Sequence, residues 1–168
     1  ISVMVMILTL AFASGFQKTI SQKVFSFWGH IRIQSFESAR VSIAEETPIR
    51  RSDSVSDLTK INPAVRQVQA FATKNAILKT ALTIEGVLFK GVEKNYDFRN
   101  VQPFLVDGRW INFADSGYSS EINLSAYTAK QLQLKVNDQV LIYFIQRGAP
   151  PRPRKLTVAG IYKTGIEE

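Results

Sequence analysis

Few side chains in this sequence could do chemistry. His30 is the one histidine among 168 residues, and there is no cysteine. Disulfides, thiolate zinc sites, iron–sulfur clusters, cysteine nucleophiles and multi-histidine metal sites are thereby excluded. A serine–histidine–aspartate arrangement would have to use His30, which sits where a helix is expected to pass into a strand and suits a structural or solvent-exposed role. The neighbouring carboxylates Glu45-Glu46 and Glu167-Glu168 lie in polar context. Adjacent side chains point apart on a strand and diverge on a helix, so a shared proton is not expected. The sequence has no Gly-x-x-x-x-Gly-Lys-Ser/Thr loop, no Gly-x-Gly-x-x-Gly and no Gly-x-Ser-x-Gly. The expectation is a chain with no enzyme active site, no metal and no cofactor.

The remaining chemistry is charge. Lysine and arginine number 21 against 14 acids, a formal charge of +7. The densest basic cluster, Arg147, Arg152, Arg154 and Lys155, lies in a segment that also holds Pro150, Pro151 and Pro153. Proline fixes φ and removes donors, so residues 146–154 should form a stiff, extended, exposed loop between two strands. Its readings are a solubilising loop, a protein-contact loop carried by Arg147, Pro150, Pro151, Arg152, Pro153 and Arg154, or a phosphate-binding loop. No aromatic residue stands between Phe144 and Tyr162 to stack on bases, so no nucleic-acid partner is expected.

The elements that must position these groups begin with an apolar run. Residues 1–13 are interrupted only by Ser2 and Thr9, and the first charge is Lys18. Three readings compete: a secretory signal segment with Ala11-Phe12-Ala13 as cleavage site, a buried core helix, or the later part of a transmembrane helix. Phe16, Ile20, Val24 and Phe27 fall at i, i+4, i+8 and i+11, one apolar stripe, with polar residues off it. The run thus passes into an amphipathic helix with no stop before Gly29, a natural C′ residue. That continuity favours a membrane span with an emerging stalk.

Beyond it, the alternation in residues 30–34 predicts a strand. A polar stretch follows, with a short strand at 40–43 and a short helix at 57–61 closed by Pro63. Runs at 65–72, 76–82 and 84–92 read as strands, with a hairpin turn at Lys74-Asn75. After Glu93, Asp107-Gly108 is the clearest turn signal. Residues 121–124 read as a strand, 125–132 as a helix capped by Ser125, Asn137-Asp138 as a turn, and 140–145 and 156–162 as strands. The fold class is α+β: an N-terminal transmembrane or stalk helix, then a mixed β-sheet extracytoplasmic domain with short covering helices.

The order of segments resembles the ABC transporter permeases of the LolC/LolE and MacB type. Three places carry the likeness: residues 1–34; Gly86-Val-Leu-Phe-Lys-Gly91-Val-Glu93; and Asp107-Gly108-Arg109-Trp110 followed by EINLSAYTAKQLQLKVNDQVLIYF and LTVAGIYKTGIEE. Ser125 and Asn137 stand where that family usually has glycine, and asparagine tolerates φ > 0. The resemblance implies a MacB-like periplasmic core domain with Porter- and Sabre-like parts. Residues 1–28 would be the end of the first membrane helix and its stalk, 29–92 the first Porter half, 93–165 most of the inserted Sabre, and 166–168 the start of the remainder. In LolC-like members the loop between the last two strands is a longer hook that recruits a periplasmic lipoprotein chaperone; here it is shorter. The resemblance further implies a non-catalytic subunit in the bacterial inner membrane, with its domain periplasmic. Its partners would be an ATP-binding subunit, a second permease copy or paralogue, and a periplasmic chaperone or adaptor. A helix over Phe16, Ile20, Val24 and Phe27 would be the mechanical lever for extruding or releasing lipoprotein, lipid-like or peptide cargo. A signalling permease like FtsX and a secreted binding domain remain the alternatives.

Overall fold

The computed structural model describes residues 2–35, 48–49, 55, 57, 61–113, 118–145 and 152–165. These fall into two compact units, Ile1–Ile33 and Gln34–Glu168.

The first unit is built on helix α1, Ser2–Trp28, none of whose residues is buried. At 1.5 Å per residue its 27 residues reach about 40 Å, more than the ~30 Å hydrocarbon layer of a bilayer. It is long and apolar enough to cross a membrane. Three of its hydroxyls are turned back onto their own helix. Thr9 donates to the Val5 carbonyl at 2.8 Å, Thr19 to Gly15 at 2.9 Å and Ser26 to Gln22 at 2.7 Å. Such bonds satisfy polar side chains without water. Gly29 ends the helix as expected, with φ +81° and its N–H on the Phe25 carbonyl at 2.9 Å. The strand expected at 30–34 is absent: Ile31 and Ile33 stay exposed, so their alternation buries nothing.

The second unit is one six-stranded sheet with a short helix. Its elements are β1 (Phe71–Lys79), β2 (Ile84–Val92), β3 (Leu105–Gly108), β4 (Glu121–Ser125), α2 (Ala126–Leu132), β5 (Gln139–Phe144) and β6 (Pro153–Tyr162). The strand order is β2-β1-β5-β6-β3, with β4 pairing β6 in parallel and the other pairs antiparallel. One face of the sheet and the buried side of α2 form the core: Ala76, Leu78, Ile122, Leu124, Ala129, Leu132, Val140, Ile142 and Val158. Phe89 and Phe144 close it edge to face, with centroids 5.3 Å apart. This α+β arrangement is the one the sequence patterns predict.

Several local expectations are corrected. Lys74-Asn75 makes no turn but lies inside β1, where Lys74 faces Phe89 and Asn75 faces Leu88. Nine consecutive cross-strand pairs and the burial of Ala76 and Leu78 outweigh a weak local turn preference. The hairpin turns at Thr80–Thr83 instead, where the Thr80 N–H meets the Thr83 carbonyl at 2.9 Å. The run 65–72 becomes regular only from Phe71, and 76–82 stops at Lys79. The strand expected at 40–43 lies outside the described residues, as does most of the helix at 57–61. There the Ile61 N–H bonds the Asp57 carbonyl at 3.1 Å.

Candidate functional site

The expected lever residues all lie on α1. Phe16 is 61% exposed, Ile20 38% and Val24 40%, and Phe27 is partly buried. Phe12 stacks on Phe16 with centroids 6.4 Å apart, which extends the stripe toward the apolar end. At its other end Phe25 stacks on His30 at 4.6 Å, and the Arg32 guanidinium lies 5.2 Å from the Trp28 ring centre. His30 is thus an exposed ring held against its own helix.

Of the expected partner-contact residues, Arg147, Pro150 and Pro151 lie outside the described residues. Arg152 is exposed just before β6. Pro153 and Arg154 are corrected from loop to strand: they pair with Tyr143 and Ile142 of β5. Pro153 is the first residue of its strand, a position where a missing N–H is tolerated. The connection between β5 and β6 is therefore two residues shorter at this end than the composition suggested.

Residues to which the sequence reading gave no site role form a connected polar site among the described residues. Gly108, at the end of β3, sits opposite Gly160 of β6. A Cβ on Gly108, where φ is +75°, would strike the Ala159 carbonyl; one on Gly160 would strike the Arg109 backbone. The two glycines let the chains approach closely enough for the Arg109 N–H to bond the Ala159 carbonyl at 2.9 Å. Beyond this contact Arg109 grips Glu121 with both terminal nitrogens, a bidentate pair. Glu121 also accepts the Asn112 N–H at 3.0 Å. Asn123 donates to the Arg109 carbonyl at 2.7 Å and accepts the Ile111 N–H at 2.9 Å, binding the 109–111 segment as a strand neighbour would.

Electrostatics follow the geometry. The Arg109 guanidinium hydrogen bonds, with the Asn112 N–H assisting, hold the Glu121 carboxyl below its ordinary range against some desolvation. Arg109 is correspondingly raised by Glu121. Nearby, Arg99 donates through Nε and Nη2 to Asp97, and its hydrogen bonds lower that carboxyl to about 2. Trp110 lies between Phe98 and Tyr162, with centroids at 5.4 and 5.7 Å, and Tyr96 meets Phe98 at 5.0 Å. Both carboxylates are held by guanidinium groups, and Trp110 is stacked between Phe98 and Tyr162 with Tyr96 edge-on to Phe98, so these contacts hold the local structure.

The only sequence sign of the clamp was that Gly108-Arg109, Glu121 and Gly160 fall in three separate blocks of the family likeness. Twelve residues separate Arg109 from Glu121, and their meeting depends on the parallel β4–β6 register. Ser125 caps α2, its hydroxyl accepting the Thr128 N–H at 3.1 Å. Asn137 adopts φ +73°, the conformation for which it was singled out.

Against known proteins, residues 1–167 match the family model described as MacB-like periplasmic core domain. The chain is also similar to the lipoprotein-releasing system transmembrane protein LolE of Haemophilus influenzae. It is 24% identical over 168 residues, covering 99% of this chain and 38% of that relative. The chain thus spans well under half the length of the curated relative it matches. With the clamp glycines, the capped helix and the positive-φ asparagine all falling in the blocks that carried the likeness, the chain belongs to the MacB-like periplasmic core domain family, of the MacB and LolE type of ABC transporter permease.

Proposed function

We propose that this chain is the anchoring helix and extracytoplasmic domain of an ABC transporter permease subunit in the bacterial inner membrane. In this reading the subunit is non-catalytic. ATP is hydrolysed by a separate ATP-binding subunit, and the motion is carried to the external domain to release or extrude cargo. The carrying observation is α1: a helix of 27 residues with none buried, three of whose hydroxyls bond back to its own carbonyls. Such a helix is stable in lipid without other protein around it, and stiff enough to pass a displacement along its axis. The Phe16, Ile20, Val24 and Phe27 stripe is the surface against which neighbouring helices would pack.

Membership of the family supports the permease reading, and the printed name of the LolE relative supports lipoprotein as the leading cargo, ahead of lipid-like or peptide cargo. A second permease copy or a paralogue completes the transporter. The β5–β6 connection, with Arg147, Pro150, Pro151, Arg152, Pro153 and Arg154, contacts a periplasmic chaperone or adaptor. Residues 29–92 and 93–165 correspond to the first Porter half and the Sabre.

The test is a helix break. In the assembled transporter, Gly15→Pro removes one helix hydrogen bond and clashes with the preceding turn. ATP hydrolysis should persist while cargo release falls at least tenfold. Gly15→Ala, which has nothing within 4 Å of the new Cβ, should leave release unchanged. Undiminished release in the proline variant would rule out the lever.

A further inference from the structure

Toward the Thr80–Thr83 turn, the face of the sheet opposite α2 carries exposed apolar and basic residues. At one end the register aligns a single row across four strands: Ile84 on β2, Lys79 on β1, Leu141 on β5 and Lys155 on β6. Ile84 is 63% exposed and Leu141 37%, and both lysines are exposed. The lysines flank Leu141 at a spacing of about 10 Å, two strand separations. Glu85, the single acid within β1, β2, β5 and β6, pairs with buried Leu78 and so belongs to the opposite face.

The hairpin tip beside this row carries no charge and ends in Leu82, 81% exposed. Several of its polar groups are already used. The Thr80 N–H bonds the Thr83 carbonyl, the Thr80 hydroxyl accepts the Leu82 and Thr83 N–H groups at 3.4 and 3.1 Å, and the two threonine hydroxyls meet at 3.0 Å. A turn that leaves few backbone donors needing water can enter an apolar phase at low cost. An exposed apolar tip with cations behind it is complementary to an anionic interface, and the carboxylate on this face, Glu121 of β4, is already held by Arg109.

We propose that the β1–β2 hairpin tip, with Lys79 and Lys155, is a docking surface for anionic phospholipid: Leu82 and Ile84 enter the headgroup–acyl boundary while the two lysines meet phosphates. A symmetric contact with a second copy of this face would oppose lysine to lysine, which disfavours that occupant. The inference rests on the proposed membrane anchoring for proximity, because α1 tethers the domain near a bilayer and raises its effective concentration there. Recognition itself uses only the domain.

The sequence contains no cysteine, so single labels can be placed at will. The whole chain is reconstituted in nanodiscs of phosphatidylcholine alone or mixed with phosphatidylglycerol. A fluorophore is carried in turn on Ala81→Cys, on Tyr127→Cys of α2 and on Leu8→Cys of α1, and quenching by lipids with spin-labelled acyl chains is read. Docking requires quenching at 81 that depends on phosphatidylglycerol, none at 127, and loss at 81 in Lys79→Gln/Lys155→Gln. Each lysine contributes about fivefold near an anionic surface, so the double variant should weaken docking roughly thirtyfold. Leu8 should be quenched throughout. Quenching at Leu8 without quenching at 81 overturns docking and leaves the anchor standing. Quenching at 81 without Leu8 sinks the anchor and keeps docking; neither site quenched sinks both. A blue shift at 81 without quenching signifies a protein contact, an acidic segment or a second copy, and overturns the lipid proposal.

Discussion

Helix α1 and the sheet unit are both rich in aliphatic side chains, yet they use them in opposite ways. In the sheet, Leu78, Val140, Ile142 and Val158 are almost fully withdrawn from solvent. In α1, Val3, Met4, Val5, Met6, Ile7 and Leu8 are each more than half exposed. The sheet brings its own apolar surroundings, while the helix needs an apolar solvent. Apolar content is therefore a poor guide to where stability resides; the side chain's final surroundings decide it.

The sharpest break of that comparison is a matched pair of truncations. Leu78→Ala should cost about 2–5 kcal/mol through lost burial and a cavity. Leu8→Ala, at a site 58% exposed, should change unfolding of the sheet by less than about 0.5 kcal/mol. Urea unfolding of the chain in detergent, followed by tryptophan fluorescence, measures both. Equal effects would mean that the two regions unfold as one.

A second pair sets glycine against glycine. Gly108→Ala forces a left-handed backbone on alanine and drives its Cβ into the Ala159 carbonyl, which should destabilise the sheet by about 1–3 kcal/mol. Gly15→Ala meets open space in a helix interior and should strengthen α1 by up to about 1 kcal/mol. Thermal unfolding read by near-UV circular dichroism for the sheet and far-UV for the helix separates the two. Opposite signs are the expected outcome.

The smallest effect is electrostatic. The folded pKa of Glu121 lies below its unfolded value, so its contribution is present above the ordinary carboxylate range and fades as pH falls through the folded value. Glu121→Gln should cost about 1 kcal/mol or less at neutral pH, since the Arg109 side chain is 57% exposed. It should also flatten the acid limb of the stability curve. The limb owed to Asp97 should survive, fading between the ordinary carboxylate value and about 2. Urea midpoints across the acid range show both, and α1, whose first charge is Lys18, should contribute nothing to the slope.

Where one residue's chemistry decides local geometry, the sequence was readable. Gly29 stops α1, Ser125 caps α2, Asn137 takes φ +73°, and β2 begins and ends where its pattern does. Misreadings came where distant pairing outvoted local preference. Lys74-Asn75 is carried through β1 by its partners, and Pro153 and Arg154 are drawn into β6 by β5. The Arg109–Glu121 clamp lay hidden for the same reason: it depends on a register that no short window of sequence encodes. Of the proposed contact loop, three of six residues lie among those described, and the helical placing of Phe16, Ile20, Val24 and Phe27 was visible because helical spacing is a local signal.

The position of β6 in the sheet has a consequence for how the domain is made. It follows the other described strands in sequence, yet it bonds to β5, to β3 and, in parallel, to β4. During synthesis, β3 and β4 therefore have no β6 to join until residues 153–162 arrive, while the β1–β2 hairpin and its seam with β5 can begin to assemble earlier. Closure of the sheet is a late, high-contact-order event. Any chaperone that meets this chain before residues 153–162 are made meets the open strands β3 and β4.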